Sequence, residues 1–269
     1  MLVPANASPA DRRRYDAWAA DETPGEPPPA VALHAHPLVV GRPCEHAPLP
    51  PPTEWRDEGR EDGPVAVENT DVQDVRVLRG VMAQEDARRL VDLVRDDPSF
   101  VDDSDIARTD GLPRRQVTLL RQACVCASCH RAHGAFAAFH IVADSERHAD
   151  IALDLVLPVA HRVLEAVAPG SGLSLWSAFV RRYLPNERTG VPPHVDACSL
   201  TASVTLSDPA TCQGGHLVFA ASPARPAPVP CLGDAVVHPG SVPHAVTAVT
   251  AGARWRLLLF YGSDDGEAR

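Results

Sequence analysis

The sequence reads as a mainly β protein with supporting α-helices, and three observations carry that reading. After Gly172 come six short strand-like segments, LSLWSAFVRRYL, LTASVTLS, HLVFA, DAVVH, HAVTAV and RWRLLLFY, separated by Gly, Pro and Asp clusters. No helical period interrupts them, which implies an antiparallel barrel or sandwich rather than a parallel sheet. Upstream, apolar residues recur at helical spacing in two stretches, read as helices that pack against the rest of the fold.

In chain order, residues 1 to about 64 hold 13 of the 27 prolines, including Pro27-Pro28-Pro29 and Pro50-Pro51-Pro52. Such a composition cannot offset its ordering entropy, so residues 1–70 are expected to form a proline-rich flexible arm. His34, His36 and His46 in that arm are read as solvated. From Asp71 to Arg269 a single domain is expected. It opens with a short strand in VRVLRGVM and continues with a helix over 83–95, whose Ala87, Leu90, Val91 and Val94 fall at i, i+3, i+4 and i+7. A second helix is expected over 148–168, with Ala152, Leu155, Val156, Val159 and Val163 on one face and Pro158 kinking it. Helical support thus lies within 83–168 and a β core within 173–262.

Composition narrows the function. The chain has 269 residues and a mass of 28.7 kDa, enough for a sizeable core. Its net charge of −10 and pI of about 5.6 give no footprint for binding a polyanion, so nucleic acid is not an expected partner. The absence of an eighteen-residue apolar run argues against a membrane span. With no apolar leader segment visible, a cytoplasmic or nuclear location is expected. All 25 basic residues are Arg, so lysine Schiff-base chemistry is excluded. The seven cysteines are an odd number in a chain too long to need disulfide staples, and reduced thiols are expected.

Within the β region, VPPHVDACS supplies His194 and Asp196 two residues apart, so in an extended backbone both side chains leave one face. His244 follows fifty residues later in SVPHAVTAV. Two His and one carboxylate make the facial triad that leaves positions open on a non-haem Fe(II). The same spacing also suits a hydrogen-bonded polar pair at a barrel rim, and spacing alone does not choose. A second His-x-Asp, His148-Ala149-Asp150, opens the second helix, where residues two apart diverge around the axis and cannot share a metal. Ten residues beyond His244 stands Arg254, whose planar fork suits a carboxylate, and Tyr183 lies eleven residues before His194. CVCASCHRAH, with Cys124, Cys126, Cys129, His130 and His133, formally contains a haem-attachment spacing and could form a zinc site, but is read as reduced thiols before a helix.

These residues together resemble the 2-oxoglutarate and Fe(II)-dependent dioxygenases, in particular their prolyl 4-hydroxylase-like branch. The pattern is Tyr183, His194-Val195-Asp196, TLSD, Gly214-Gly215, Gly233-Asp234-Ala235, His244 and Gly252-Ala253-Arg254. It is strong from Phe179 to Tyr261, roughly a third of the chain, and loose from Val75 onward. The resemblance implies a double-stranded β-helix, a jelly-roll-like barrel with the site at its mouth. It implies iron on His194, Asp196 and His244, and 2-oxoglutarate anchored by Arg254 with Tyr183 assisting. Arg256 shares a strand face with Arg254 and is the rival anchor; Arg254 matches the family's Gly-x-Arg position. O₂ would be the oxidant, L-ascorbate a possible reductant, and a protein, peptide or small molecule the prime substrate, with peptidyl proline the family's usual one. His216 and His238 depart from the family pattern and are read as tolerated substitutions. The position six residues after His244 is Thr250, unlike the Arg of the nucleic-acid-repair branch. A hairpin turn at 250–253 would set His244 and Arg254 on opposite faces, so a three-residue loop or bulge at Gly252 is expected. Two other classes stay open at this point, a non-catalytic barrel that binds partners and a cupin-like metalloenzyme without cosubstrate. The segments between the second helix and His194, and around Ala221 to Pro230, carry no readable substrate code.

Overall fold

A computed structural model describes residues 65–100, 115–122, 141–142, 146–220 and 230–263. Eleven strands occur among these residues: β1 Ala66–Asn69, β2 Arg76–Arg79, β3 Gln116–Gln122, β4 Ile141–Val142, β5 Leu173–Tyr183, β6 Val191–His194, β7 Leu200–Thr205, β8 Leu217–Phe219, β9 Ala235–Pro239, β10 His244–Val246 and β11 Arg254–Ser263. They form an eight-stranded antiparallel sheet in the order β1-β2-β9-β7-β11-β5-β3-β4 and a three-stranded one in the order β6-β10-β8. From β5 to β11 successive strands alternate between the two sheets. That alternation winds a jelly-roll-like double-stranded β-helix, the architecture expected, and it leaves an interior between the sheets.

Period-2 alternation sorts the large sheet into two faces. Ala178 and Val180 of β5, Ala202 and Val204 of β7, Ala235 and Val237 of β9, and Leu257 and Leu259 of β11 join the main apolar core. Phe179, Arg181 and Tyr183 of β5 and Arg254, Arg256, Leu258 and Phe260 of β11 face the interior instead. The core face is covered by helices. Helix α1, Gln84–Val94, buries Ala87, Leu90, Val91 and Val94, as its spacing required. Leu257 and Leu259 are fully buried in this layer, each contributing about 1.5–3 kcal/mol.

The second helical stretch is longer at its start and less regular than expected. It comprises α2, Glu146–Ile151, a π-helical turn over Ala152–Val156, and α3, Leu157–Val167. Pro158 sits just after the wide turn, at the beginning of α3. A proline ring collides with the carbonyl four residues back and cannot donate to it, and the wider turn absorbs both effects without a break. No helix among the described residues is long and apolar enough to cross a membrane.

Two sequence expectations change. The loop or bulge at Gly252 presupposed that β10 and β11 form a hairpin, but they lie in different sheets. Residues 247–253 cross between the sheets, and His244 and Arg254 meet because the sheets face each other, so turn parity does not apply. The large sheet also begins earlier than the expected boundary at 70/71. β1 pairs with β2 from Ala66↔Arg79 to Asn69↔Arg76, within the span assigned to the arm. Residues 1–64 of the arm lie outside the described residues, as do the Cys124–His133 cluster and most of the segment around Ala221 to Pro230.

The Gly233-Asp234-Ala235 motif ties the sheet edge to this frame. The Asp234 carboxylate accepts from Arg79 Nη1 at 2.8 Å and from the amides of Gly80 and Cys231, each at 2.9 Å. One side chain thereby links the end of β2 to the turn entering β9.

Candidate metal centre and its cavity

His194 ends β6 and His244 begins β10, and the two are direct Cα partners in antiparallel register. Their rings stand 4.1 Å apart between centroids. Asp196 lies just past the end of β6, its amide donating to Gly240 O at 2.8 Å. Gly240 permits that approach, because a Cβ there would come 1.9 Å from Cys198 O. The Asp196 carboxylate stands 3.5 Å from His194 Nε2 through one oxygen and 3.5 Å from His244 Nε2 through the other. All three potential ligand atoms lie within 4.8 Å of one another, the only such His/Cys/Asp/Glu group among the described residues.

Backbone carbonyls set the tautomers. His194 Nδ1 lies 2.9 Å from Pro192 O and His244 Nδ1 lies 2.9 Å from Val242 O, so each Nδ1–H donates to a carbonyl. Each Nε2 lone pair is left free and aimed at the carboxylate. Burial pushes the His244 pKa down to about 3, which keeps the ring neutral near pH 7. Burial alone would raise the Asp196 pKa. The surrounding His244 and His238, and a 2.6 Å hydrogen bond from Thr201 Oγ1, hold it below the usual carboxylate range. Two imidazoles and one carboxylate on one side of a cavity suit a divalent ion that keeps positions open for other ligands, and Fe(II) fits this donor set.

His148-x-Asp150 behaves as its helical position requires. His148 turns into the core and bonds Asp97 through Nε2 at 2.9 Å, away from any metal group. His238 is buried beside the centre, its ring 4.3 Å from that of His244 and its Nδ1 on Pro239 O. It lies outside the three-residue ligand group. His216 is half-buried, and its pKa is lowered by burial and by Arg254 nearby.

The interior between the sheets is a cleft of about 510 Å³ counted together with its open mouth. The His-Asp-His group occupies one wall. Arg254 and Tyr183 are Cα partners on β11 and β5, and both face inward. Arg254 is 3% exposed, and its Nε is buried without a hydrogen-bond partner. Gly215, at φ +68°, makes room for it, since a Cβ there would come 2.6 Å from Arg254 Cδ. Arg256 faces the same cavity and donates to Thr205 Oγ1. Sequence reasoning missed Arg181, opposite Arg256 on β5, although its even spacing from Tyr183 put it on the cavity face. It also missed Thr201, whose place beside Asp196 depends on how the sheets face each other.

No protein-family model matches the chain, and no curated protein matches it by sequence. Solved structures do. An oxidoreductase of the 2OG-Fe(II) oxygenase family from Burkholderia pseudomallei matches at 16% identity and a TM-score of 0.35, over 45% of this chain and 60% of its own. The chain thus spans under two thirds of that protein. A viral collagen prolyl hydroxylase from Paramecium Bursaria Chlorella virus-1 matches at 12% identity and a TM-score of 0.43, over 73% of this chain and 96% of its own. AviO1 from Streptomyces viridochromogenes Tue57 matches at 16% identity and a TM-score of 0.46, over 71% of this chain and 90% of its own.

Proposed function

We propose that the protein is an Fe(II)- and 2-oxoglutarate-dependent dioxygenase that hydroxylates an unactivated C–H bond, with peptidyl proline as the first substrate to test. One observation carries the reading: a partly buried His-Asp-His group with both Nε2 atoms turned toward Asp196 faces a cavity that also holds inward-pointing arginines. A metal alone would not call for buried guanidiniums, whereas a dicarboxylate cosubstrate gives them a partner.

His194, Asp196 and His244 would hold the metal, with Thr201 fixing the carboxylate and the Pro192 and Val242 carbonyls fixing the rings. Arg254 would receive the distal carboxylate of 2-oxoglutarate, with Tyr183 beside it. Leu258, Phe260 and Phe179 line the space between and limit water there. Once loaded, the centre supplies oxidative decarboxylation of 2-oxoglutarate to succinate and CO₂, coupled to hydroxylation of the substrate by O₂. The chain's own work is ligand geometry, charge placement and water exclusion.

The test is mutational. His194→Ala and His244→Ala should each abolish iron binding and succinate release. Arg254→Ala should chiefly raise the 2-oxoglutarate requirement. Full succinate production by His194→Ala would overturn the iron assignment, and a panel of proline-containing peptides would decide the substrate by mass gain.

A further inference from the structure

The cavity holds more positive charge than one cosubstrate neutralises. Arg181, Arg254 and Arg256 all line it, and Asp196 is the single acid among the described residues of the lining. None of the three guanidiniums forms an ion pair among the described residues. Arg181 donates to Gln116 and stacks over the Phe179 ring at 4.9 Å, and Arg256 donates to Thr205, so their contacts are neutral. Moreover, Arg181 and Arg256 are direct cross-strand partners on one face, an arrangement in which like charges repel. Arg256 is only 4% exposed.

Register also locates these charges. Thr201, beside Asp196, pairs with Phe260, and Thr205, four residues along β7, pairs with Arg256. At about 3.3 Å per residue the Arg181–Arg256 rung lies roughly 13 Å, and the Arg254 rung roughly 20 Å, along the strands from the rung beside the metal group. The guanidiniums therefore gather at the end of the cavity remote from His194 and His244. If the preceding reading holds, the distal carboxylate of 2-oxoglutarate occupies one of them, and two remain.

We propose that the floor of the cavity contains a second anion-binding subsite, with Arg181 and Arg256 as its donors, that takes a small oxyanion alongside the carboxylate taken by Arg254. The oxyanion is either a free inorganic ion or an additional carboxylate carried by a ligand more acidic than 2-oxoglutarate. Burial, and then the charge of Arg254, push the Arg256 pKa down to about 9, which leaves the group cationic near neutrality and in need of a counter-charge. The proposal depends on the functional reading only for the role of Arg254.

The experiment is calorimetric titration of the full-length, metal-free protein with glutarate, inorganic phosphate and citrate. Phosphate is expected to saturate a site even when glutarate is already bound. Arg181→Gln and Arg256→Gln should each weaken phosphate at least about tenfold, while Arg254→Gln should weaken glutarate. Arg256→Gln should also raise the melting temperature of the ligand-free protein, because it removes an uncompensated buried charge, whereas a merely structural arginine would lower it. Citrate tighter than either single probe would place the extra charge on one ligand. Citrate no tighter, with phosphate and glutarate bound together, would mean a free ion. One-for-one displacement of phosphate by glutarate, or unchanged phosphate affinity in both Arg181→Gln and Arg256→Gln, would overturn the proposal. Iron takes no part in the titration, so phosphate binding without any Fe(II) or 2-oxoglutarate binding would sink the dioxygenase reading and leave the subsite standing.

Discussion

Asp234→Ala removes three hydrogen bonds without touching the cavity. The carboxylate accepts from the Gly80 and Cys231 amides at 2.9 Å each and from Arg79 at 2.8 Å. Bonds from backbone N–H to a charged acceptor contribute about 1.5–3 kcal/mol each, and the low end applies here because Gly80 and Cys231 are exposed and water can replace the acceptor. The Arg79 side chain is one-third exposed, which limits its ion pair to under about 1 kcal/mol. The total is about 3 kcal/mol. For a domain of this size that lowers the melting temperature by roughly 6–12 °C. Urea unfolding of the metal-free protein would measure the free energy directly. Asp234→Asn keeps one oxygen acceptor and should lose about half as much. A loss under about 1 kcal/mol in Asp234→Ala would refute the assignment of this residue as the link between β2 and β9. So would an unchanged unfolding midpoint accompanied by loss of iron affinity, since that would place Asp234 in the site.

Thr201→Val keeps the shape of the side chain but deletes the 2.6 Å bond to Asp196 and the contact with Cys198 Sγ, so Fe(II) affinity should fall about 10- to 100-fold by competition with a chelator, alongside a stability loss of about 1–3 kcal/mol in the metal-free protein. Gly215→Ala drives a Cβ to 2.6 Å from Arg254 Cδ at a positive φ; 2-oxoglutarate affinity should fall about tenfold by calorimetry while Fe(II) affinity stays unchanged. Burial, reinforced by Asp196, pushes the Cys198 thiol up to about 12, so at pH 8 iodoacetamide should modify exposed Cys231 while Cys198 reacts only after denaturation, as peptide mapping would reveal.

What the sequence made legible was local. The face of α1 followed from four apolar residues at helical spacing, and the pairing of His194 with Asp196 followed from their separation by one residue. His148-x-Asp150 was correctly set aside because a helix rotates such residues apart. What escaped was long-range. Strand β3 went unread although Asp110-Gly111 and Pro113 precede it in the sequence, because no partner strand is visible locally; its pairing with β5 defines it. The meeting of His244 with Arg254 depends on two sheets facing each other, which no turn rule describes. Arg181 shared the strand parity of Tyr183, but its importance emerges only from register, which sets it against Arg256. Arg254 and Arg256 were inseparable by parity and remain neighbours in space. Their different surroundings, a buried Nε beside Gly215 for one and a Thr205 partner for the other, distinguish them.

The most direct test of the central claim is anaerobic titration of the purified apoprotein with Fe(II) and then with 2-oxoglutarate, followed by visible absorption. The account predicts one equivalent of iron bound. On addition of 2-oxoglutarate it predicts a weak charge-transfer band that is absent in His194→Ala and that needs more cosubstrate in Arg254→Ala. Iron binding with no band at saturating 2-oxoglutarate would contradict the cosubstrate assignment, and a folded protein that binds no iron would contradict the metal centre itself.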